Sequence, residues 1–195
     1  MLLKIDNPKR EKLEINEVIK HCKAGNQVAQ GILFNTFYRQ MYNLSMRILA
    51  NHHDVEDVLI ISFTKVFDNI QRFENRGDNS LNKWIKTIVI NETIRFVNAR
   101  NKISYDEDLS EYEMNIMDDT EFDTIDIEQI YSIIETMPAG YRVVFNLFAI
   151  EGYSHKEISE LLDITESTSK SQLRKARIKI IERINKTKQY GHSKY

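Results

Sequence analysis

The segment 151–177, EGYSHKEISELLDITESTSKSQLRKAR, constrains the fold of this chain most, because it predicts two short helices joined by a tight turn. Ser154 is followed three residues later by Glu157, which is the capping box that starts a helix. Apolar residues at helical spacing give this helix one apolar face. The DITE sequence that follows interrupts the helix, and Thr165 or Ser167 can cap a second one. The pattern predicts a helix-turn-helix.

The second helix of the pair is rich in basic and hydroxyl side chains. In the major groove of DNA, such groups reach base edges and phosphates, while apolar positions of the same helix are left for packing. An ordinary helical hairpin with a solvated basic face would show the same pattern. The candidate DNA-binding residues are Ser167, Thr168, Lys170, Ser171, Arg174, Lys175 and Arg177.

Composition limits the class of protein. A chain of 195 residues can form one domain or two small ones, and only 6 Gly and 2 Pro favour helices with few tight turns. No apolar run approaches the roughly 20 residues that span a bilayer, and the first residues lack a secretory apolar region. We therefore expect a cytoplasmic protein without membrane insertion. Cys22 is the single cysteine, which excludes an internal disulfide, and no nearby residues complete a metal site.

The net charge of −2 conceals a strong segregation of charge. Residues 1–104 hold 16 basic and 11 acidic residues, and residues 129–195 hold 11 and 7. Residues 105–128 hold 11 acidic residues and no basic one. Such a composition predicts a flexible acidic linker between two basic domains. The linker is either a solubilising spacer or a segment that avoids DNA and lies in a basic channel of a partner.

The first basic block is predicted to be helical throughout. Its apolar residues follow helical spacing, and it contains neither strand alternation nor a glycine-rich phosphate loop. One helix is predicted to begin at Asn16, and two others to span residues 26–49 and 81–100. A further helix is predicted after residue 53, with Asp54 as its N-cap. The expected fold is all-α, with two small helical domains joined by the acidic linker and a helix-turn-helix in the second domain.

Three segments carry a resemblance to a known family. They are DVEDVLIISFTKVFDNIQRF (54–73), KWIKTIVINETIRF (83–96) and the segment 137–177, which ends in the helix-turn-helix. The chain resembles sigma-70-type transcription initiation factors of the small, two-domain, extracytoplasmic-function class. The resemblance implies a protein that is not an enzyme and needs no cofactor. Such factors bind core RNA polymerase, direct it to promoter DNA and help to open the duplex.

The resemblance also implies roles for individual residues. Residues 1–104 match the domain that binds polymerase and the promoter's −10 element, and residues 129–195 match the domain that reads the −35 element. The implied polymerase contacts are Asp54, Glu56, Asp57 and Lys65. The implied −10 contacts are Asn79, Ser80, Lys83, Trp84, Lys86, Arg95 and Arg100, with Trp84 either stacked on a base or packed in the core. The helix-turn-helix residues named above would contact the −35 element.

The chain departs from the family pattern at three places. Ile60 and Ile61 stand where the family commonly has Gln and Glu, so two polar contacts with polymerase would become apolar. Arg95 stands where Asp is frequent, and Ser167 where Gly is frequent. Factors of this class are commonly held by an anti-sigma protein, which would be a further partner.

Three other classes of protein account for parts of the sequence. His53 and Asp54 could begin the metal site of an HD-type phosphohydrolase, but the further ligands are not found at suitable places. A stand-alone helix-turn-helix regulator explains the residues after 136 and leaves the first block without a role. A protein-interaction module would tolerate neutralisation of Lys170, Arg174 and Arg177.

Overall fold

All secondary structure in the described part of the chain is helical. The computed structural model describes residues 8–77, 79–100 and 127–191. The helices are α1 (Pro8–Lys23), α2 (Gln27–Leu49), α3 (His52–Asn69, continued by the 3-10 turn Ile70–Arg72), α4 (Ser80–Arg100), α5 (Ile127–Glu135), α6 (Ala139–Phe145, continued by the π-helical residues Asn146–Ile150), α7 (His155–Leu162) and α8 (Glu166–Gly191). The all-α prediction is confirmed.

The chain divides into two compact units. The first comprises Met1–Met46 and Asn51–Thr93, and the second comprises Arg47–Ala50 and Ile94–Tyr195. Most of the predicted acidic linker lies outside the described residues, although its last two residues, 127–128, belong to α5. The domain limits 1–104 and 129–195 stay predictions.

The first unit is built around the apolar side of α2. Leu33, Phe37, Met41 and Leu44 recur at helical spacing and are all buried, together with apolar residues of α3 and α4. On the side that faces α3, the rings of Phe34 and Phe63 meet edge to face, with centroids 4.7 Å apart. On the side that faces α4, the buried hydroxyls of Ser45 and Thr93 are hydrogen-bonded at 3.1 Å. Both neighbouring helices are thus oriented by α2.

The core of the second unit brings α5 and α8 together. Its buried cluster consists of Ile133, Ile134, Met137, Ala176 and Ile180. Hydrophobic burial of this kind is the main driving force for packing short helices, which are marginal on their own.

The start of α6 is tied to the end of α5 by one side chain. The Arg142 guanidinium donates to the carbonyl oxygens of Glu135 and Met137, both at 3.0 Å. These carbonyls lie at and beyond the end of α5, where a helix leaves acceptors without partners. Arg142 therefore has a structural role in the second unit.

The cap of α3 differs from the prediction. Ala50 adopts a positive φ of 53°, which ends the preceding helix, and α3 begins at His52. Asn51 is the N-cap, and its side-chain oxygen accepts the backbone N–H of Asp54 at 3.1 Å. The prediction of Asp54 as the cap was wrong, because the turn is completed earlier and Asp54 is already helical. The start of α1 was also predicted too late, since that helix begins at Pro8.

Removal of the α3 cap should destabilise the first unit. We expect Asn51→Ala to lower the free energy of unfolding by about 1 kcal/mol, because the N–H of Asp54 loses its acceptor. Trp84, the single tryptophan, lies on α4 in the first unit, so its fluorescence during urea unfolding measures this change. Asn43→Ala, at an exposed position within α2, is the matched control. Equal urea midpoints for Asn51→Ala and Asn43→Ala would contradict the assignment of Asn51 as the N-cap of α3.

Candidate nucleic-acid interface

The helix-turn-helix is confirmed, and both of its helices are capped. The Ser154 hydroxyl accepts the backbone N–H of Glu157 at 3.2 Å, while the Glu157 carboxylate accepts the backbone N–H of Ser154 at 2.8 Å. Hydrogen bonds from Ser154 lower the pKa of Glu157. After the left-handed residue Asp163, the Thr165 hydroxyl accepts the N–H of Thr168 at 3.0 Å. Of the two residues proposed as the second cap, Thr165 is the one used.

Helix α8 has one packed side and one exposed side. The packed side carries residues that are at most 5% exposed: Ser169, Gln172, Leu173, Ala176 and Ile180. Ser167, Lys170, Arg174 and Arg177 are exposed, and their spacings of three and four residues align them along the helix. We call these four residues the basic face of α8. Ser171 and Lys175 are half-buried and border it.

Thr168 lies apart from the basic face. Its side chain is buried, and its hydroxyl is 2.8 Å from the Thr165 hydroxyl. This placement favours a role in the turn between the helices over a contact with a base. The predicted groove contact of Thr168 has the weakest structural support among the α8 candidates.

His155 is a feature of the helix-turn-helix that the sequence analysis missed. Its ring stacks on Phe148 with centroids 4.5 Å apart, and its Nδ1 is 2.9 Å from the hydroxyl of buried Ser169. The histidine thus connects the start of α7 with the packed side of α8. One histidine in this segment forms no sequence motif, so its contact with Ser169 is seen only in the folded structure.

The surroundings of His155 disfavour its charged form. Burial lowers the pKa of the imidazole, and the nearby positive charges of Lys170 and Arg177 lower it further, against an opposing effect of Glu166. Two residues of the basic face therefore act on this histidine electrostatically.

A second polar surface follows helix α4. Lys83, Thr87 and Arg95 are exposed and Asn91 is half-buried, and these residues recur every fourth position. Thr87 was missed in the sequence analysis, although its spacing from Lys83 could have indicated it. Lys86 is half-buried, and Arg100 is the last residue of α4.

Trp84 is half-buried and packs on Phe73, with ring centroids 5.0 Å apart. Part of the indole is therefore used to hold the loop before α4, and part remains at the surface. Both roles considered for this residue are compatible with that position.

The loop before α4 is organised by a residue that was not among the candidates. The Asn75 side-chain oxygen accepts from the N–H of Gly77 at 3.1 Å and from the hydroxyl of Ser80 at 2.9 Å. The Asn75 amide donates to the side-chain oxygen of Asn16 at 2.7 Å. Ser80 is therefore held in place, whereas Asn79 is exposed with a positive φ of 62°.

The candidate polymerase contacts all lie on α3, but their side chains differ in solvent exposure. Glu56 and Asp57 are exposed and Asp54 is half-buried. The Lys65 ammonium is 2.6 Å from the carboxylate of Glu92, whose side chain is only 10% exposed. Lys65 therefore joins α3 to α4, and the sequence offered no sign of this pairing between residues 27 positions apart.

Two family models match the two parts of the chain. The model of sigma-70 region 2 matches residues 33–103, and the model of sigma-70 region 4 matches residues 127–180. The chain belongs to the sigma-70 family. The second match contains α7 and α8 as far as residue 180, and the first contains α3, α4 and most of α2.

Relatives of this sigma factor are similar over most of their length. The ECF RNA polymerase sigma-E factor of Haemophilus influenzae is 23% identical over 89% of this chain and 97% of that protein. The ECF RNA polymerase sigma factor SigW of Bacillus subtilis is 28% identical over 84% and 92%. A solved structure of the sigma factor RpoE from Bartonella quintana, in complex with the anti-sigma factor NepR, is 19% identical over 91% and 98%, with a TM-score of 0.47.

The predicted class is confirmed by these matches. The chain is an RNA polymerase sigma factor of the extracytoplasmic-function class, which acts in transcription initiation with core RNA polymerase and promoter DNA. Sigma factors are initiation factors rather than catalysts. Within residues 8–77, 79–100 and 127–191, no helix has both the length and the hydropathy of a membrane span. The same residues contain no cluster of three potential metal ligands.

Acidic conditions should loosen the helix-turn-helix through His155. Because the folded pKa lies below the ordinary value of about 6.5, the unfolded chain takes up the proton first. Stability is therefore retained above that value and decreases as the pH falls through it. We expect faster hydrogen exchange of the α7 and α8 amides at pH 5.5 than at pH 7.5, after correction for intrinsic exchange rates.

The matched variant for this measurement is His155→Gln, which keeps a polar side chain that does not titrate. It should show a smaller pH dependence than the unchanged protein. Trp84 fluorescence serves as the internal control for the first unit. An identical pH dependence in the variant would contradict the role of His155.

Proposed function

We propose that this sigma factor reads the −35 promoter element with the basic face of α8, contacts and opens the −10 element with α4, and docks on core RNA polymerase through α3. The observation that carries the proposal is the basic face itself. Its four exposed residues lie on the second helix of a doubly capped helix-turn-helix, on the side opposite the buried cluster. This is the geometry in which a helix enters the major groove while its other side remains packed.

At the −35 element, Ser167, Lys170, Ser171 and Arg174 are proposed to reach base edges, and Lys175 and Arg177 to contact phosphates. Thr168 is assigned to the turn, since its hydroxyl is held by Thr165. The border position of Ser171 and Lys175 suits contacts at the edge of the groove.

At the −10 element, Lys83, Lys86, Arg95 and Arg100 are proposed to follow the phosphates of the separated strand. Asn79, which is exposed, and Ser80 are proposed to hold a base turned out of the stack, with Trp84 beside them as a stacking surface. The support for this part is the run of exposed polar residues along α4 and the loop geometry set by Asn75.

The proposed polymerase contacts are Asp54, Glu56 and Asp57. Lys65 is proposed to act through Glu92, by fixing α4 against α3, because its ammonium is already paired. The protein is proposed to work in the cytoplasm as two helical domains, 1–104 and 129–195, joined by the acidic linker. An anti-sigma protein is proposed as a further partner on the family resemblance.

A stand-alone helix-turn-helix regulator is the alternative. To decide between the two, the full chain is mixed with sigma-free core RNA polymerase from the same cells and tested for co-elution, with Asp54→Asn/Asp57→Asn alongside. We expect co-elution that the double variant weakens. A polymerase-independent footprint on duplex DNA, with no co-elution, would favour the regulator.

Arginines of the basic face should contribute to promoter binding in two different ways. We expect Arg174→Gln to weaken binding by about 1–3 kcal/mol and to relax base preference, as for a groove contact. Arg177→Gln should weaken binding on all sequences and reduce the salt slope by about 1, as for a phosphate contact.

The measurement is a salt titration of promoter binding by the polymerase complex. Lys186→Gln is the matched control, because Lys186 is exposed on the same helix but away from the basic face. If all three variants bind alike, α8 does not read the promoter through this face.

A further inference from the structure

Helix α1 holds the loop before α4 through two of its side chains. The Lys23 ammonium donates to the carbonyl oxygen of Phe73 at 2.7 Å. The side-chain oxygen of Asn16 accepts the side-chain amide of Asn75, also at 2.7 Å. Asn16 and Lys23 are separated by about two helical turns, so both lie on the same side of α1. The contacts proposed above with DNA and polymerase assign no role to this helix.

The position of α1 is fixed by packing contacts outside the loop. Ile19 and Cys22, which lie between the two polar residues, are 7% and 2% exposed. Helix α1 also contacts the 3-10 turn Ile70–Arg72, which directly precedes the loop, and the Gln71 amide donates to the backbone carbonyl of Lys23. Since these contacts set its position, α1 supports the loop as a rigid element.

The Lys23 hydrogen bond ends beside a residue proposed to bind the −10 element. The ring of Phe73, whose carbonyl Lys23 holds, packs on Trp84 with centroids 5.0 Å apart. Trp84 is the proposed stacking surface for an unpaired base. Lys23 therefore acts on the orientation of that surface through Phe73.

The Asn16 hydrogen bond ends at the residue that fixes the segment around Asn79. The Asn75 side-chain oxygen accepts from Gly77 and Ser80, which lie on either side of Asn79. Asn79 has a positive φ of 62°, a conformation that is uncommon for residues other than glycine and that surrounding contacts must maintain. Asn16 thus supports the conformation of Asn79 by holding Asn75.

We infer that Asn16 and Lys23 are positioning residues for the −10 element, and that they hold the loop in the conformation in which Asn79, Ser80 and Trp84 take up a base. The inference rests on the proposed role of those three residues. Neither Asn16 nor Lys23 has to touch DNA, since each side chain is hydrogen-bonded to the loop. Their contribution is preorganisation, because a loop that is ordered beforehand loses less conformational freedom when the base enters.

The test uses the complex of the full chain with core RNA polymerase on a promoter that the complex opens, with 2-aminopurine in place of each adenine of the −10 element in turn. The fluorescence of 2-aminopurine rises when the base leaves the stack, and the anisotropy of an end label reports total promoter binding. We expect Asn16→Ala and Lys23→Met each to lower the equilibrium constant for unstacking roughly 3- to 10-fold, the effect of one lost hydrogen bond. Binding to polymerase and to −35 DNA should not change.

Conservative variants and a charge control show whether the hydrogen bonds are responsible. Asn16→Asp keeps the acceptor oxygen and Lys23→Arg keeps a donor, so both should open the promoter like the unchanged chain. Lys20→Met removes a positive charge from an exposed position of α1 and should have no effect. In the free chain, Lys23→Met should make Trp84 more accessible to acrylamide quenching, because Phe73 is released, whereas Lys20→Met should not.

The outcomes separate this inference from the proposed function. If the unchanged complex binds the promoter and 2-aminopurine fluorescence rises at no −10 adenine, the proposed −10 function fails and the inference fails with it. If the fluorescence rises equally in the unchanged complex, Asn16→Ala and Lys23→Met, only the inference is overturned. An equal loss in Lys20→Met, or in both Asn16→Asp and Lys23→Arg, also overturns it, because the effect would then not depend on the two hydrogen bonds.

Discussion

The second unit depends on the burial of one side of α8 while its other side stays exposed. Ala176 and Ile180 must join the cluster formed with Ile133, Ile134 and Met137, because α5 is too short to be stable without tertiary contacts. Once these residues are buried, the rotation of α8 is set. The opposite side then presents the basic face to solvent, so the packing that stabilises the unit also orients the residues proposed to read DNA.

In the first unit, specific polar contacts orient the helices that the apolar core holds together. The Lys65–Glu92 ion pair joins α3 to α4, and the Ser45–Thr93 hydrogen bond joins α2 to α4. A partly buried ion pair adds little net stability but strongly disfavours arrangements in which one charge is left without its partner. The proposed polymerase-docking helix and the proposed −10 helix are thereby kept in one relative orientation.

Local rules were sufficient where the interacting residues are close in sequence. The Ser154–Glu157 capping box, the break after α7 and a second cap at Thr165 or Ser167 were all predicted, because each depends on residues within a few positions. Where the deciding partner is remote, the predictions were incomplete. The pairing of Lys65 with Glu92 was not foreseen, and His155 was missed because its partner Ser169 is reached only through the turn.

By itself, the sequence determined the helical class, the helix-turn-helix, the family and the segregation of charge, since periodicity, capping and composition are local or additive properties. Only the tertiary structure decided which residues at the edges of each buried helix face are themselves buried. It placed Thr168 inside and Ser167 outside, although both are small polar residues at the same helix start. It also left Ile60 and Ile61 exposed beside buried Leu59, because the rotation of α3 is set by its contacts with α2 and α4 rather than by the hydrophobicity of each residue.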